Sequence, residues 1–186
     1  MKKLSFLFAM ILMAAGVAVA QVHQTATIIQ SGNNNVAYST QDQHSGAVVT
    51  LNATQSGDAN ALFATQTGDL NYSYLTQSGL SNSIDLDQTG ESEGAVNYAE
   101  LVQSGNSNSA DLSQKNLTGA PYGDLYTENT VYATQNGNGN EYNLDQGDGW
   151  TSDNYSELKQ SGDNNDAWVV QSGHVKFSQI KQIGDN

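Results

Sequence analysis

The chain alternates apolar and polar positions in short runs, and each run closes on a glutamine. Written out, the unit is Asn-x-apolar-x-apolar-x-Gln, followed by x-Gly-x-x before the next unit begins. The closing glutamines are Gln30, Gln41, Gln55, Gln66, Gln77, Gln88, Gln103, Gln114, Gln135, Gln146, Gln160, Gln171 and Gln182. Eight of the twelve intervals between them are 11 residues, and the others are 14, 15, 21 and 14. A fixed short period means that one supersecondary unit is stacked many times.

Alternation at period two predicts strands, in which every second side chain shares a face. Asn60, Leu62, Ala64 and Gln66 then point one way, as do Asn82, Ile84, Leu86 and Gln88, and Asn108, Ala110, Leu112 and Gln114. Extrapolation back gives a first strand carrying Gln24, Ala26, Ile28 and Gln30, and the last carries Lys176, Ser178, Ile180 and Gln182, thirteen strands in all. The two middle positions of this face hold 26 residues, none charged and with Tyr142 the single large one. The opposite face holds Asp85, Asp87, Glu100, Asp111, Glu141, Asp145, Glu157, Lys159 and Asp166. It also takes Tyr38, Phe63, Tyr72, Tyr74, Tyr98, Tyr132, Tyr155, Trp168 and Phe177. A thin inside with bulky groups outside predicts two sheets clasped closely together.

The turns add a parity. Numbering strands from the one that ends at Gln30, the four lengthened connections, after Gln41, Gln88, Gln114 and Gln146, all follow even-numbered strands. Turns after odd-numbered strands are four residues long, such as Ser31-Gly32-Asn33-Asn34. Two strands per coil put every insertion on one edge, the largest being Lys115–Glu128. The turn glycines Gly32, Gly57, Gly68, Gly79, Gly105, Gly137, Gly162 and Gly173 suit a backbone that needs positive φ. The predicted fold is all-β, a cross-β solenoid with two strands per rung built from 11-residue half-repeats. It has about six rungs and stands roughly 30 Å tall at ~4.8 Å per rung.

The amides are the candidate functional residues. All thirteen strands end in Gln, and ten begin with Asn: Asn35, Asn60, Asn71, Asn82, Asn97, Asn108, Asn129, Asn140, Asn154 and Asn165. A buried amide without a partner costs roughly 1–3 kcal/mol. Stacked like on like, each side-chain carbonyl takes a hydrogen bond from the NH₂ of a neighbouring rung, forming a self-assembly ladder.

Composition adds a compartment. Residues 1–20 read as a secretory signal peptide: Lys2 and Lys3, an apolar run from Leu4 to Met13, and Ala18-Val19-Ala20 as the cleavage site. Residues 21–186 are then the mature repeat domain, and no later segment has the length of an apolar membrane anchor. There is no cysteine, so neither a disulfide nor a Cys-ligated metal holds the fold. Without the leader, four lysines face 19 acids, a formal charge of 4 − 19 = −15. Such a surface repels nucleic acid and anionic lipid.

Taken together, motif, register and spacing over residues 24–182 resemble the curlin family, the subunits of curli, the bacterial extracellular amyloid fibre. The family repeat is Ser-x5-Gln-x-Gly-x-x-Asn-x5-Gln. Asn71 to Gln77 through Asn82 to Gln88 matches it with Asn in place of Ser. The resemblance implies a secreted structural subunit that polymerises end to end into cell-surface fibres for biofilm cohesion and adhesion. It also implies a nucleating minor subunit, an outer-membrane secretion channel and periplasmic chaperones as partners. The acidity is that of a major subunit more than of a nucleator. The chain departs from the family in lacking a Gly-rich segment before the first repeat and in exceeding the usual ten strands.

Other classes fit less well. Solenoid enzymes cluster acidic or basic residues in a cleft, whereas this chain has scattered His23, His44 and His174 and no arginine, so no catalytic, cofactor or metal residue is assigned. A monomeric solenoid that binds a surface, a carbohydrate or ice is the alternative, through the outward aromatics and Thr40, Thr54, Thr65, Thr76 and Thr134. Of these threonines only Thr54 and Thr76 are expected to align on neighbouring strands. The acidic stretch Asp145-Gln146-Gly147-Asp148-Gly149 with Asp153 lacks the ligand spacing of an EF-hand or a calcium β-roll and reads as a solvated turn.

Overall fold

The computed structural model describes residues 23–42, 48–90, 94–116, 127–147, 153–173 and 175–185. The signal-peptide reading of residues 1–20 lies outside them, as do His44 and His174. Thirteen strands run along the chain: β1 (His23–Ser31), β2 (Val36–Asp42), β3 (Val48–Asp58), β4 (Ala61–Gly68), β5 (Asn71–Leu80), β6 (Ser83–Gly90), β7 (Ala95–Asn106), β8 (Ser109–Asn116), β9 (Thr127–Asn138), β10 (Glu141–Gln146), β11 (Asn154–Ser161), β12 (Asp166–Gln171) and β13 (Lys176–Ile183). No helix occurs among the described residues.

The odd strands form a seven-stranded sheet in the order β1-β3-β5-β7-β9-β11-β13, and the even strands a six-stranded sheet from β2 to β12. Every pairing is parallel and in register on the glutamines, Gln30 beside Gln55 beside Gln77 in one sheet and Gln41 beside Gln66 beside Gln88 in the other. The chain therefore coils as a β-solenoid, one strand in each sheet per turn. The inward set enforces this register, because a slip of one residue would bury Asp85 and expose Leu86.

Between the sheets lies a single thin core. Leu51, Leu62, Ile84, Leu86, Leu101, Leu112 and Leu158 are buried, with Ala53, Ala64, Ala99, Ala110 and Ala133 between them. Tyr142 is also fully buried, and its neighbours explain how it fits. Its register partners are Ala110 on one side and Ala167 on the other, and its hydroxyl meets the Ser156 Oγ at 2.9 Å. Burial pushes the Tyr142 phenol up to about 12, with the Ser156 hydrogen bond acting in the other direction.

Three expectations change. Pairing continues past the glutamine into the turn, so that Gly57 lies beside Gly79 and Gly105 beside Gly137; the odd strands are longer than the repeat suggests because stacked turns hydrogen-bond like strands. The insertion read as Lys115–Glu128 is shorter than that. Lys115 and Asn116 pair with Thr89 and Gly90, and Thr127 and Glu128 pair with Ala95 and Val96. Asn116 is buried and donates to the Thr127 carbonyl at 2.8 Å, which holds both ends of that connection in the ladder. Thr40 also aligns with Thr65 in the even sheet, a second pair beside Thr54 and Thr76, because residues 11 apart occupy opposite sheets and those 22 to 25 apart become neighbours.

Candidate functional site

Each glutamine side chain extends inward from the end of its strand, where its amide meets two different partners. Along the odd sheet, Nε2 donates to the next Oε1 from Gln30 to Gln55 (2.6 Å), Gln77 (2.7 Å), Gln103 (3.0 Å), Gln135 (2.8 Å), Gln160 (3.0 Å) and Gln182 (2.8 Å). Along the even sheet the same bond runs from Gln41 through Gln66, Gln88, Gln114 and Gln146 to Gln171 at 2.6–3.1 Å. The second N–H crosses the core to a backbone carbonyl of the preceding strand in the other sheet. Gln55 donates to Val36, Gln77 to Ala61, Gln103 to Ser83 and Gln182 to Asp166 at 2.8–3.0 Å. The even glutamines do the same, Gln41 to Thr25 and Gln171 to Tyr155. The glutamines thus extend the stack, and from Gln41 onward each also ties the two sheets together.

The asparagines sit at the opposite end of the strands, at the corners. In the even sheet Asn60 donates to the Asn35 Oδ1 at 3.1 Å, Asn82 to Asn60 (3.1 Å), Asn108 to Asn82 (3.1 Å), Asn140 to Asn108 (3.0 Å) and Asn165 to Asn140 (2.9 Å). The same oxygens accept the next backbone N–H, and each NH₂ reaches turn carbonyls, Asn82 to Ser78 (3.0 Å) and Gly105 (2.9 Å). In the odd sheet Asn97 donates to Asn71 (2.9 Å), Asn129 to Asn97 (3.2 Å) and Asn154 to Asn129 (3.2 Å). The two kinds of ladder point in opposite directions. From amide to amide, glutamine donates toward the C-terminal end of the stack and asparagine toward the N-terminal end.

The turn glycines separate into groups. Gly32, Gly57, Gly79, Gly105, Gly137 and Gly162 stack over one another with φ of 97 to 127°, and a Cβ on any of the first five would overlap the carbonyl oxygen of the next glycine in the column. Gly68 sits over Gly90 in the same way, whereas a Cβ on Gly173 would meet only the Lys176 Cε, at 4.0 Å. Two further turn positions escaped the sequence reading. The fourth residue of each tight turn is left-handed, at Asn34, Ala59, Leu70, Ser81, Ser107, Gly139, Asn164 and Val175, with φ of 48 to 63°. The third position forms its own ladder, in which Asp58, Asn106, Asn138 and Asp163 accept a backbone N–H from the rung before. A preference for Asn, Asp, Ser and Gly at these positions was the available signal.

Outward, the odd sheet carries a row of rings. Tyr74, Tyr98, Tyr132, Tyr155 and Phe177, on five successive strands, have consecutive centroids 5.8, 5.5, 5.9 and 5.3 Å apart. The Tyr98 hydroxyl donates to the Glu100 carboxylate at 3.1 Å; burial first, then that carboxylate, pushes its pKa up to about 12. On the even sheet, Asp85 lies beside Asp111 and two residues from Asp87, and partial burial with these two charges raises its pKa. Asp148 and Gly149 of the acidic stretch lie outside the described residues, and Asp153 accepts the Glu128 backbone N–H at 2.9 Å.

At its two ends the ladder stops without a cap among the described residues. β1 pairs only with β3 and β13 only with β11. Ile28 and Ile29 at one end and Val170, Phe177 and Ile183 at the other are exposed. The arrangement can hold backbone and amide hydrogen bonds in register along one axis, and both ends present the groups that would continue them.

Residues 57–90 match the family model of the curlin associated repeat. They run from the end of β3 through β6, where successive 11-residue intervals pass without a lengthened connection. No curated protein and no solved structure gives a significant match.

Proposed function

We propose that the chain, whose residues 57–90 match the curlin associated repeat, is a curlin-like structural subunit that is secreted and polymerises end to end into amyloid fibres. These fibres give cohesion to a biofilm matrix and attach cells to surfaces. The leader at residues 1–20 directs export, and the strands from residue 23 onward are the polymerising domain. One observation carries the reading: both glutamine ladders run unbroken from the first strand of their sheet to the last, and the outer edges of β1 and β13 are unpaired among the described residues. Soluble proteins cover such edges, because unpaired N–H and C=O groups template further pairing. A second copy continues the parallel sheets, and its Gln and Asn amides meet the terminal ones. A nucleating minor subunit supplies the first edge, and a secretion channel with periplasmic chaperones keeps the chain unassembled until it is outside.

The test is assembly of the mature chain. Purified protein should pass from a soluble form to thioflavin-positive fibres with a meridional reflection near ~4.8 Å. A chain that stays monomeric at high concentration and in the presence of preformed seeds would overturn the proposal.

A further inference from the structure

The outward row Tyr74–Tyr98–Tyr132–Tyr155 is not needed for the amide ladder or for the core, yet it spans four successive strands of one sheet. Offset ring pairs with centroids 4.5–7 Å apart are ordinary packing partners, but these are phenols at a surface. Tyr74 and Tyr132 are 41% and 39% exposed, so a soluble oxidant can reach the row. Tyr98, in its middle, already donates its phenolic hydrogen to a carboxylate, that of Glu100.

We propose that this row is an oxidative cross-linking site, at which a peroxidase using hydrogen peroxide joins Tyr98 of β7 to Tyr132 of β9 as dityrosine. Each phenol loses one electron to the oxidant and one proton, which for Tyr98 passes to Glu100. The two radicals form a C–C bond between ring carbons ortho to the oxygens. The ring hydrogens at those carbons then shift to oxygen and restore both phenols. Two electrons and two protons are lost in total, and one hydrogen peroxide takes them up as two waters. Of the three Tyr–Tyr neighbours in the row this pair has the closest centroids, 5.5 Å against 5.8 and 5.9 Å. The bond would close the loop that contains β8 and the longest connection, giving a cysteine-free chain the kind of cross-link that a disulfide otherwise supplies.

The experiment uses freshly purified, dilute, soluble protein treated with horseradish peroxidase and hydrogen peroxide. The expected result is blue dityrosine fluorescence, a monomer lighter by two hydrogens, and a proteolytic peptide linking residues 98 and 132. Tyr98→Phe, which keeps the ring and hence the packing, should abolish that peptide with an unchanged circular dichroism spectrum. Glu100→Gln should slow its formation by about tenfold or more, by removing the proton acceptor. Tyr72 is the internal control, since it is the register partner of Tyr98 but no ring contact joins them among the described pairs. Links to Tyr72 or Tyr38 as abundant as the 98–132 link, or intermolecular dimers without it, would overturn the proposal.

Discussion

Gln88 makes four hydrogen bonds in a space that water does not reach. Its Nε2 donates to Gln114 (2.8 Å) and to the Tyr72 carbonyl (3.3 Å), and its Oε1 accepts from Gln66 (2.9 Å) and the Ser73 Oγ (2.8 Å). Gln88→Leu would strand several of these at once, so a loss of about 2 kcal/mol or more is expected in denaturant melts of the soluble form. The strand faces give a sharper contrast. Leu86→Lys puts a charge between the sheets and should cost on the order of 4 kcal/mol or more, blocking assembly. Asp85→Lys, on the exposed face beside Asp111, should be tolerated. Ionised Asp85 is disfavoured by partial burial and then by Asp111 and Asp87. Its folded pKa is raised, so the folded state holds its proton more tightly than the unfolded chain does. The penalty is therefore full above the folded pKa and is relieved as pH falls toward the ordinary value of 3.8. In thermal melts over that acidic window, Asp85→Asn should remove this part of the pH dependence.

At the level of the turn and strand, the stacked glycines differ from the isolated one. Gly79→Ala forces a Cβ onto the Gly105 carbonyl at a φ of 112° and should cost at least about 2 kcal/mol, loosening the β5–β7 edge. Gly173→Ala meets only the Lys176 Cε, an ordinary contact at 4.0 Å, and bears the left-handed strain, about 1 kcal/mol. Equal losses in melting temperature for the two variants would mean that the turns do not stack. At the fourth turn position the reverse change applies. Ala59 holds a φ of 58°, so Ala59→Gly should raise stability by about 0.5–1 kcal/mol, the relieved strain being partly offset by the freer unfolded chain.

For the whole molecule, the two ends are where a folded subunit and a growing fibre differ. Among the described residues, Gln30 donates to Gln55 with no amide beyond its Oε1, and Gln182 donates across to Asp166 without a further glutamine to meet. Replacing Gln30 and Gln182 with Ala should slow seeded elongation more than replacing Gln88 and Gln103, while disturbing the soluble fold less. Elongation rates with preformed wild-type seeds measure this. If the central pair slowed growth more, after correction for folded fraction, lateral association would replace end-to-end stacking as the route of growth.

Periodicity alone determined the class of fold, the thirteen strands, the inward face and the edge that takes the insertions. It could do so because a period of two and a repeat of 11 are local properties of a chain, and one charge on the wrong face is costly enough to keep the pattern clean. The set of amides was legible for the same reason, as glutamine and asparagine recur at fixed places. What each amide does was not. That the second N–H of Gln55 crosses to Val36 depends on how far apart the sheets sit and how they are offset, which no spacing along the chain records. The tyrosine row likewise exists only because odd strands stack on odd strands, bringing residues 98 and 132 together across an even strand and the longest connection. Tyr142 fits for a similar reason, since Ala110, Ala167 and Ser156 leave it room only once two sheets are assembled around it. Local pattern set the units; the contacts between units, made at long sequence separation, were decided by the coil.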